Sequence, residues 1–141
     1  MEPYRVVLDT NVVVSALRSS RGASYRLLSL VDSPIIEVVL SVQLILEYED
    51  AVKRKGATTL SSTDIDDVLD YLCAIAKPVE VYYRWRPLLR DPKDDMVLEL
   101  AVASGCKYIV TYNKRDFRGA ERFGLQVLTA SEFLDLVGGE L

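Results

Sequence analysis

The apolar residues of this chain fall into short, nearly continuous runs that alternate with stretches of helical spacing. Residues 5–8 form an apolar run rich in β-branched side chains and bounded by Asp9, the pattern of a strand buried on both faces of a parallel sheet. Residues 11–18 then read as a helix, and a second helical pattern over 23–31 ends in the cluster Asp32-Ser33-Pro34. Residues 35–40, IIEVVL, repeat the strand pattern. Ser41 is placed to cap a helix that carries Leu44, Ile45, Tyr48, Ala51 and Val52 on one side and closes near Gly56 after Lys53, Arg54 and Lys55. A longer helix starts near Thr63; Ile65, Val68, Leu69, Leu72 and Ile75 or Ala76 keep helical spacing, while Asp64, Asp66, Asp67 and Asp70 form a solvated face. Residues 79–82 suggest a third strand, followed by the connection YRWRPLLRDP. A helix over 94–104 turns Met96, Val97, Leu100 and Ala101 inward and stops at Gly105. Residues 108–111 and 126–128 read as the fourth and fifth strands, and Ser131 caps a final helix through Val137.

Strands alternating with helices imply right-handed crossovers and a parallel sheet covered on both sides. The expected fold is α/β, a three-layer α/β/α arrangement around a central parallel sheet of about five strands, and 141 residues make it a single domain over 1–141. In such sheets ligands bind beyond the carboxyl ends of the strands, where the strand order reverses. Four acids are placed to meet there. Asp9 follows the first strand directly, Glu47 lies almost two turns into the helix after the second, Asp94 opens the helix leading to the fourth, and Asp116 lies just beyond Thr111 and Asn113 at that strand's end. Carboxylates brought together raise one another's pKa, so such a cluster is stable mainly around a divalent cation.

Composition narrows the chemistry. Half the residues are apolar and 27% are charged, as in a folded domain. The longest apolar runs fall short of a membrane span, and MEPYRVVLDT lacks a basic start followed by an apolar stretch, so a cytoplasmic protein with no membrane association is expected. Cys73 and Cys106 show neither metal nor disulfide spacing and read as buried structural thiols. A net charge of −4 speaks against nonspecific nucleic-acid binding through the overall field. The chain has no histidine, which removes His-containing triads, His zinc sites and imidazole acid–base chemistry. Any hydrolysis must run on carboxylates and metal.

Each acid also has a plainer reading. Asp9 and Asp94 suit helix starts, the latter beside Asp91-Pro92; Asp116 suits a turn between Arg115 and Phe117; Glu47, at the border of an apolar stripe, needs a partner. Phosphoryl transfer through an aspartyl intermediate of the haloacid-dehalogenase kind wants a second acid two residues after Asp9, where Asn11 stands.

Three blocks together resemble the PIN-domain family, in particular the group described as toxin components of bacterial toxin–antitoxin pairs. LDTNVVVSAL looks like its opening strand and first acid, LSVQLILEYEDAVKRK like its glutamate helix, and RDPKDDMVLELAVASGCKYIVTYNKRDF like its third-acid helix, fourth strand and final motif. The resemblance runs from Val6 to about Phe133 and is weak between residues 56 and 80. It implies that Asp9, Glu47, Asp94 and Asp116 form an acidic quartet for Mg2+ or Mn2+, with Asp9, Asp94 and Asp116 as ligands and Thr10, Asn11, Thr111 and Asn113 as polar support. Asp94 is preferred to Asp95 because it stands eleven residues before Gly105, the family's separation. Asn113 departs from close relatives that carry Asp there.

The implied activity is hydrolysis of RNA phosphodiester bonds by a metal-activated water. The implied partners are an RNA substrate, an antitoxin and a second copy of the chain, with helices 23–31 and 63–76 as surfaces for them; a non-catalytic PIN-like protein-binding module is the alternative. Arg84 and Arg86, with Lys114 and Arg115 beside the final acid, are the candidates for substrate phosphates, and Tyr83 or Trp85 for base stacking, against packing of Tyr82 and Trp85 at the core edge.

Overall fold

The computed structural model describes residues 2–81 and 91–140. Five strands, β1 (Tyr4–Leu8), β2 (Ile36–Leu40), β3 (Lys77–Pro78), β4 (Tyr108–Val110) and β5 (Gln126–Leu128), form one sheet in the order β3-β2-β1-β4-β5, and every neighbouring pair is parallel. Six helices complete the expected three-layer α/β/α fold: α1 (Thr10–Arg18), α2 (Ala23–Ser29), α3 (Val42–Val52), α4 (Ser62–Ile75), α5 (Pro92–Ala103) and α6 (Ala130–Val137). The chain steps outward from β1 through β2 to β3, then crosses back to lay β4 on the other side of β1. The order therefore reverses between β1 and β4, where Val6 faces both Val38 of β2 and Tyr108 of β4.

This arrangement follows from burial. Val6, Val7 and Leu8 have no more than 1% of their surface exposed, because α5 packs directly on β1, β2 and β4 while α1 to α4 pack against one another as a group. Each such side chain contributes about 1.5–3 kcal/mol relative to staying in water. α6 closes the fold against α2 and β5, and Phe133 on it meets Tyr4 and Tyr108 edge-on.

Several boundaries differ from expectation. The third strand lies at Lys77–Pro78, not 79–82; Val79 N–H still donates to Leu40 O at 2.8 Å, but β2 ends at Leu40, leaving the next residues no strand to pair with. Tyr82 lies outside the described residues. α4 starts at Ser62, close to the expected Thr63, and Ser61 caps it, its Oγ accepting from Asp64 N–H at 3.1 Å. Thr129, not Ser131, caps α6: Thr129 and Glu132 exchange backbone and side-chain bonds in a capping box. α5 starts two residues earlier than expected, with Asp91 as cap and Pro92 in the first helical position. Its other end is as expected. Gly105 has φ +71°, and its N–H and that of Cys106 donate back to Val102 O and Ala101 O, which ends the helix in a left-handed turn. Cys106 is buried as expected, but Cys73 is exposed on α4.

Candidate active site

At the carboxyl ends of β1 and β4 lies an open cavity of about 590 Å³. Asp9, Glu47, Asp94 and Asp116 all line it, as do Thr10, Asn11 and Asn113. The sequence reading missed Asp91, a fifth carboxylate on the cavity wall, and treated it only as a helix start.

Asp9 is held from two sides. Its Oδ1 accepts from Thr10 N–H at 2.8 Å, which caps α1, and its Oδ2 accepts from Thr111 Oγ1 at 2.7 Å. The plain reading of Asp9 as a helix cap therefore holds, and the same residue lines the cavity. Only 8% of Asp9 is exposed, and burial raises its pKa; the bonds from Thr111 and Thr10 work the other way, and the charges of Asp116 and Asp91 add to the rise. Thr111 itself is fully buried, and its hydroxyl also accepts from Asn113 N–H at 3.1 Å and Asn11 Nδ2 at 3.4 Å. Beneath Asp9, the wholly buried Tyr48 of α3 donates its hydroxyl to Leu8 O, pinning the last residue of β1. Burial, then the Asp9 charge, pushes the Tyr48 phenol well above its ordinary pKa, so it remains a donor.

Asp94 sits in the first turn of α5 and is pushed up to about 7 by burial and by the charges of Asp9, Asp91, Asp116 and Asp95, in that order. Asp95, the fallback candidate, is 3% exposed and does not line the cavity, which favours Asp94. Asp116 is exposed on a short 3-10 turn, Lys114–Phe117, rather than in an irregular loop; the buried Phe117 beside it anchors the turn. Glu47 has the partner its position requires: Lys93 Nζ lies 3.1 Å from Glu47 Oε1, joining α3 to α5.

The predicted substrate contacts fare differently. Lys114 binds Glu132 at 2.9 Å, and neither Lys114 nor Arg115 lines the cavity. Arg84, Arg86, Tyr83 and Trp85 lie outside the described residues. The cations that do line the cavity are Arg18 and Arg54, which the sequence placed at helix ends, and Lys93, which it left without a role.

This donor set fits Mg2+ or Mn2+. Hard carboxylate oxygens surround the cavity, and the raised pKa values of Asp9 and Asp94 are those of acids lacking a counter-charge. Among the described residues no group of three or more Asp, Glu, His or Cys side chains is drawn close enough together to hold a metal ion. Mg2+ keeps several waters and needs few direct carboxylates.

A family model described as PIN domain matches residues 5–115. No curated protein sequence matches the chain. The fold is similar to that of a chain in the crystal structure of VapBC2 from Rickettsia felis bound to a DNA fragment from their promoter, with a TM-score of 0.59 at 16% identity, covering 87% of this chain and 96% of that one.

Proposed function

The chain belongs to the PIN-domain family, and on that premise we propose that it is a divalent-metal-dependent endoribonuclease that hydrolyses RNA phosphodiester bonds as the toxin of a toxin–antitoxin pair. The observation that carries the reading is the gathering of five carboxylates around one open cavity at the strand-order reversal, with Asp94 held near pH 7. Such a cluster is costly for the fold alone and useful to a cation.

Asp9, Asp94 and Asp116 would hold the ion. When bound, Mg2+ or Mn2+ supplies Lewis acidity, neutralising charge on phosphate oxygens and making water a better nucleophile. Thr111 and the Thr10 N–H keep Asp9 in one orientation. Asp94, its carboxyl pushed up to about 7, would have to be ionised to hold the ion. Lys93 pairs with Glu47 at the cavity wall, where the carboxylate can orient water.

The toxin assignment and the antitoxin partner are supported by the fold shared with a chain of the VapBC2 complex. Exposed apolar side chains on three helices, Tyr25 of α2, Val42 and Leu46 of α3, and Tyr71 of α4, offer surface to an antitoxin or to a second copy. No described helix is long and apolar enough to cross a membrane, in keeping with the proposed cytoplasmic location.

The test is cleavage of single-stranded RNA by purified protein. Cleavage should require Mg2+ or Mn2+, stop in chelator and be lost in Asp94→Asn. Inactivity of folded, metal-loaded protein on varied RNAs, with antitoxin shown to be absent, would transfer the assignment to a non-catalytic protein-binding module.

A further inference from the structure

Among the described residues, Tyr112 is the one large aromatic side chain lining the cavity, and the reaction as drawn above has no use for it. It follows Thr111 directly, and its backbone N–H donates to Asn11 Oδ1 at 3.3 Å. At the far end of the ring, the hydroxyl is hydrogen-bonded to Ser24 Oγ of α2 at 2.6 Å and to Ser15 Oγ of α1 at 3.3 Å. Ser24 is 1% exposed, so the hydroxyl is tied to the interior, yet 46% of Tyr112 remains exposed. A phenol fastened at both ends has lost its freedom to swing, so a flat partner would find it already oriented.

Arg18 lies on the same side, in the last turn of α1, whose Val14 and Ser15 also line the cavity. Eight residues of helix separate it from Thr10, a rise of about 12 Å. Its Nε donates to Ala57 O at 3.0 Å, and among the described residues it forms no ion pair. A carbonyl fixes the guanidinium without neutralising it. At the cavity at the opposite end of the sheet the arginine is differently placed: Arg5 there is committed to Glu37 at 2.6 Å and to Ser104 O.

We propose that Tyr112 and Arg18 form a nucleotide subsite beside the acids, in which the base of an unpaired nucleotide stacks on the Tyr112 ring and a neighbouring phosphate meets Arg18. The proposal rests on the ribonuclease reading and adds to it a requirement for locally unpaired RNA and a direction for the strand, along α1 and away from Asp9. Because every base has a π face, stacking here selects single strands and not a base identity.

Binding measured by fluorescence anisotropy tests it, using Asp94→Asn protein in Mg2+ with a short single-stranded RNA and versions made abasic at successive positions. One abasic position should weaken binding about 5- to 150-fold, the range of base–aromatic stacking. Tyr112→Ala should lose a similar factor on intact RNA and nothing further on that abasic RNA, whereas Tyr112→Phe, which keeps the ring but not the bonds to the two serines, should lose less than Tyr112→Ala. Arg18→Ala should lower the slope of log affinity against log salt by about 0.7, one phosphate contact on a single strand. Equal weakening of intact and abasic RNAs by Tyr112→Ala would mark Tyr112 as structural and overturn the subsite. Should the alanine protein not fold, the abasic scan on the unaltered ring decides, since no position-dependent loss also overturns it. A wild-type protein that neither binds nor cleaves any RNA sinks the ribonuclease reading first, a result distinct from RNA that is cleaved without regard to Tyr112.

Discussion

The Thr111 hydroxyl donates to Asp9 Oδ2 at 2.7 Å across 102 positions of sequence, joining the ends of β4 and β1 at the point where the strand order reverses. That bond favours the ionised form of a carboxyl that burial works to keep protonated. Thr111→Val keeps the shape and removes the donor. The expected result is divalent affinity weakened about tenfold or more near pH 7, in line with the ~1.5–3 kcal/mol of a hydrogen bond to a charged group, with Thr111→Ser close to wild type. Calorimetric titration with Mn2+ reads this directly, and an unchanged affinity in the valine protein would show that the bond does not prepare Asp9 for a cation.

Asp94 makes the metal-free protein sensitive to pH in a defined direction. Its pKa is raised from 3.8 to about 7 in the folded state, so between those values the folded chain binds more protons than the unfolded one. Stability from this group is therefore present at low pH and declines as pH rises through about 7. In chelator, the melting temperature should fall between pH 6 and pH 8, and Asp94→Asn should flatten that fall and melt higher at pH 8. Mg2+ selects the ionised carboxylate, so its stabilising effect on wild type should grow over the same interval. A pH-independent melting profile in chelator would contradict the account of Asp94.

Lys93 is the built-in counter-charge of Glu47, whose side chain is 16% exposed. Lys93→Met keeps the aliphatic stem and removes the cation. With chelator present, the variant should melt below wild type, because the acids lose a positive neighbour. With Mg2+ the order should narrow or reverse, since removal of a like charge strengthens binding of a dication, on the order of several-fold by Coulomb's law near a protein surface. Thermal melts at graded Mg2+ separate the two effects; equal loss at every concentration would mean that Lys93 only supports the fold.

Most of the sheet and the location of all four predicted acids were legible because both rest on local patterns. A β-branched run ending in Asp9 declares a buried strand and its exit, and helical spacing around Glu47 places that acid beside, not within, the apolar stripe. What escaped was decided by partners far along the chain. The length of β3 depends on where β2 ends, at Leu40, which the Lys77–Pro78 segment cannot announce. Lys114 looked available for substrate until the fold placed Glu132 beside it. Tyr112 carried no signal of its own in the sequence; only the packing of α1 and α2 supplies the two serines that hold it. The capping box at Thr129 was readable as Thr-Ala-Ser-Glu, with the acid three residues after the threonine, and shows that a local signal can also be passed over.

Because β4 must dock beside β1 before Asp9 gains Thr111, and because Tyr112 and Asp116 follow in the same stretch, the proposed site cannot exist in a partly synthesised chain. At roughly 5–20 residues per second, about 5 to 20 s of translation separate Asp9 from Asp116. During that interval the emerging polypeptide lies beside ribosomal and messenger RNA with its acids unassembled. The ribonuclease proposed above would stay silent toward the machinery that is making it until the last strands close.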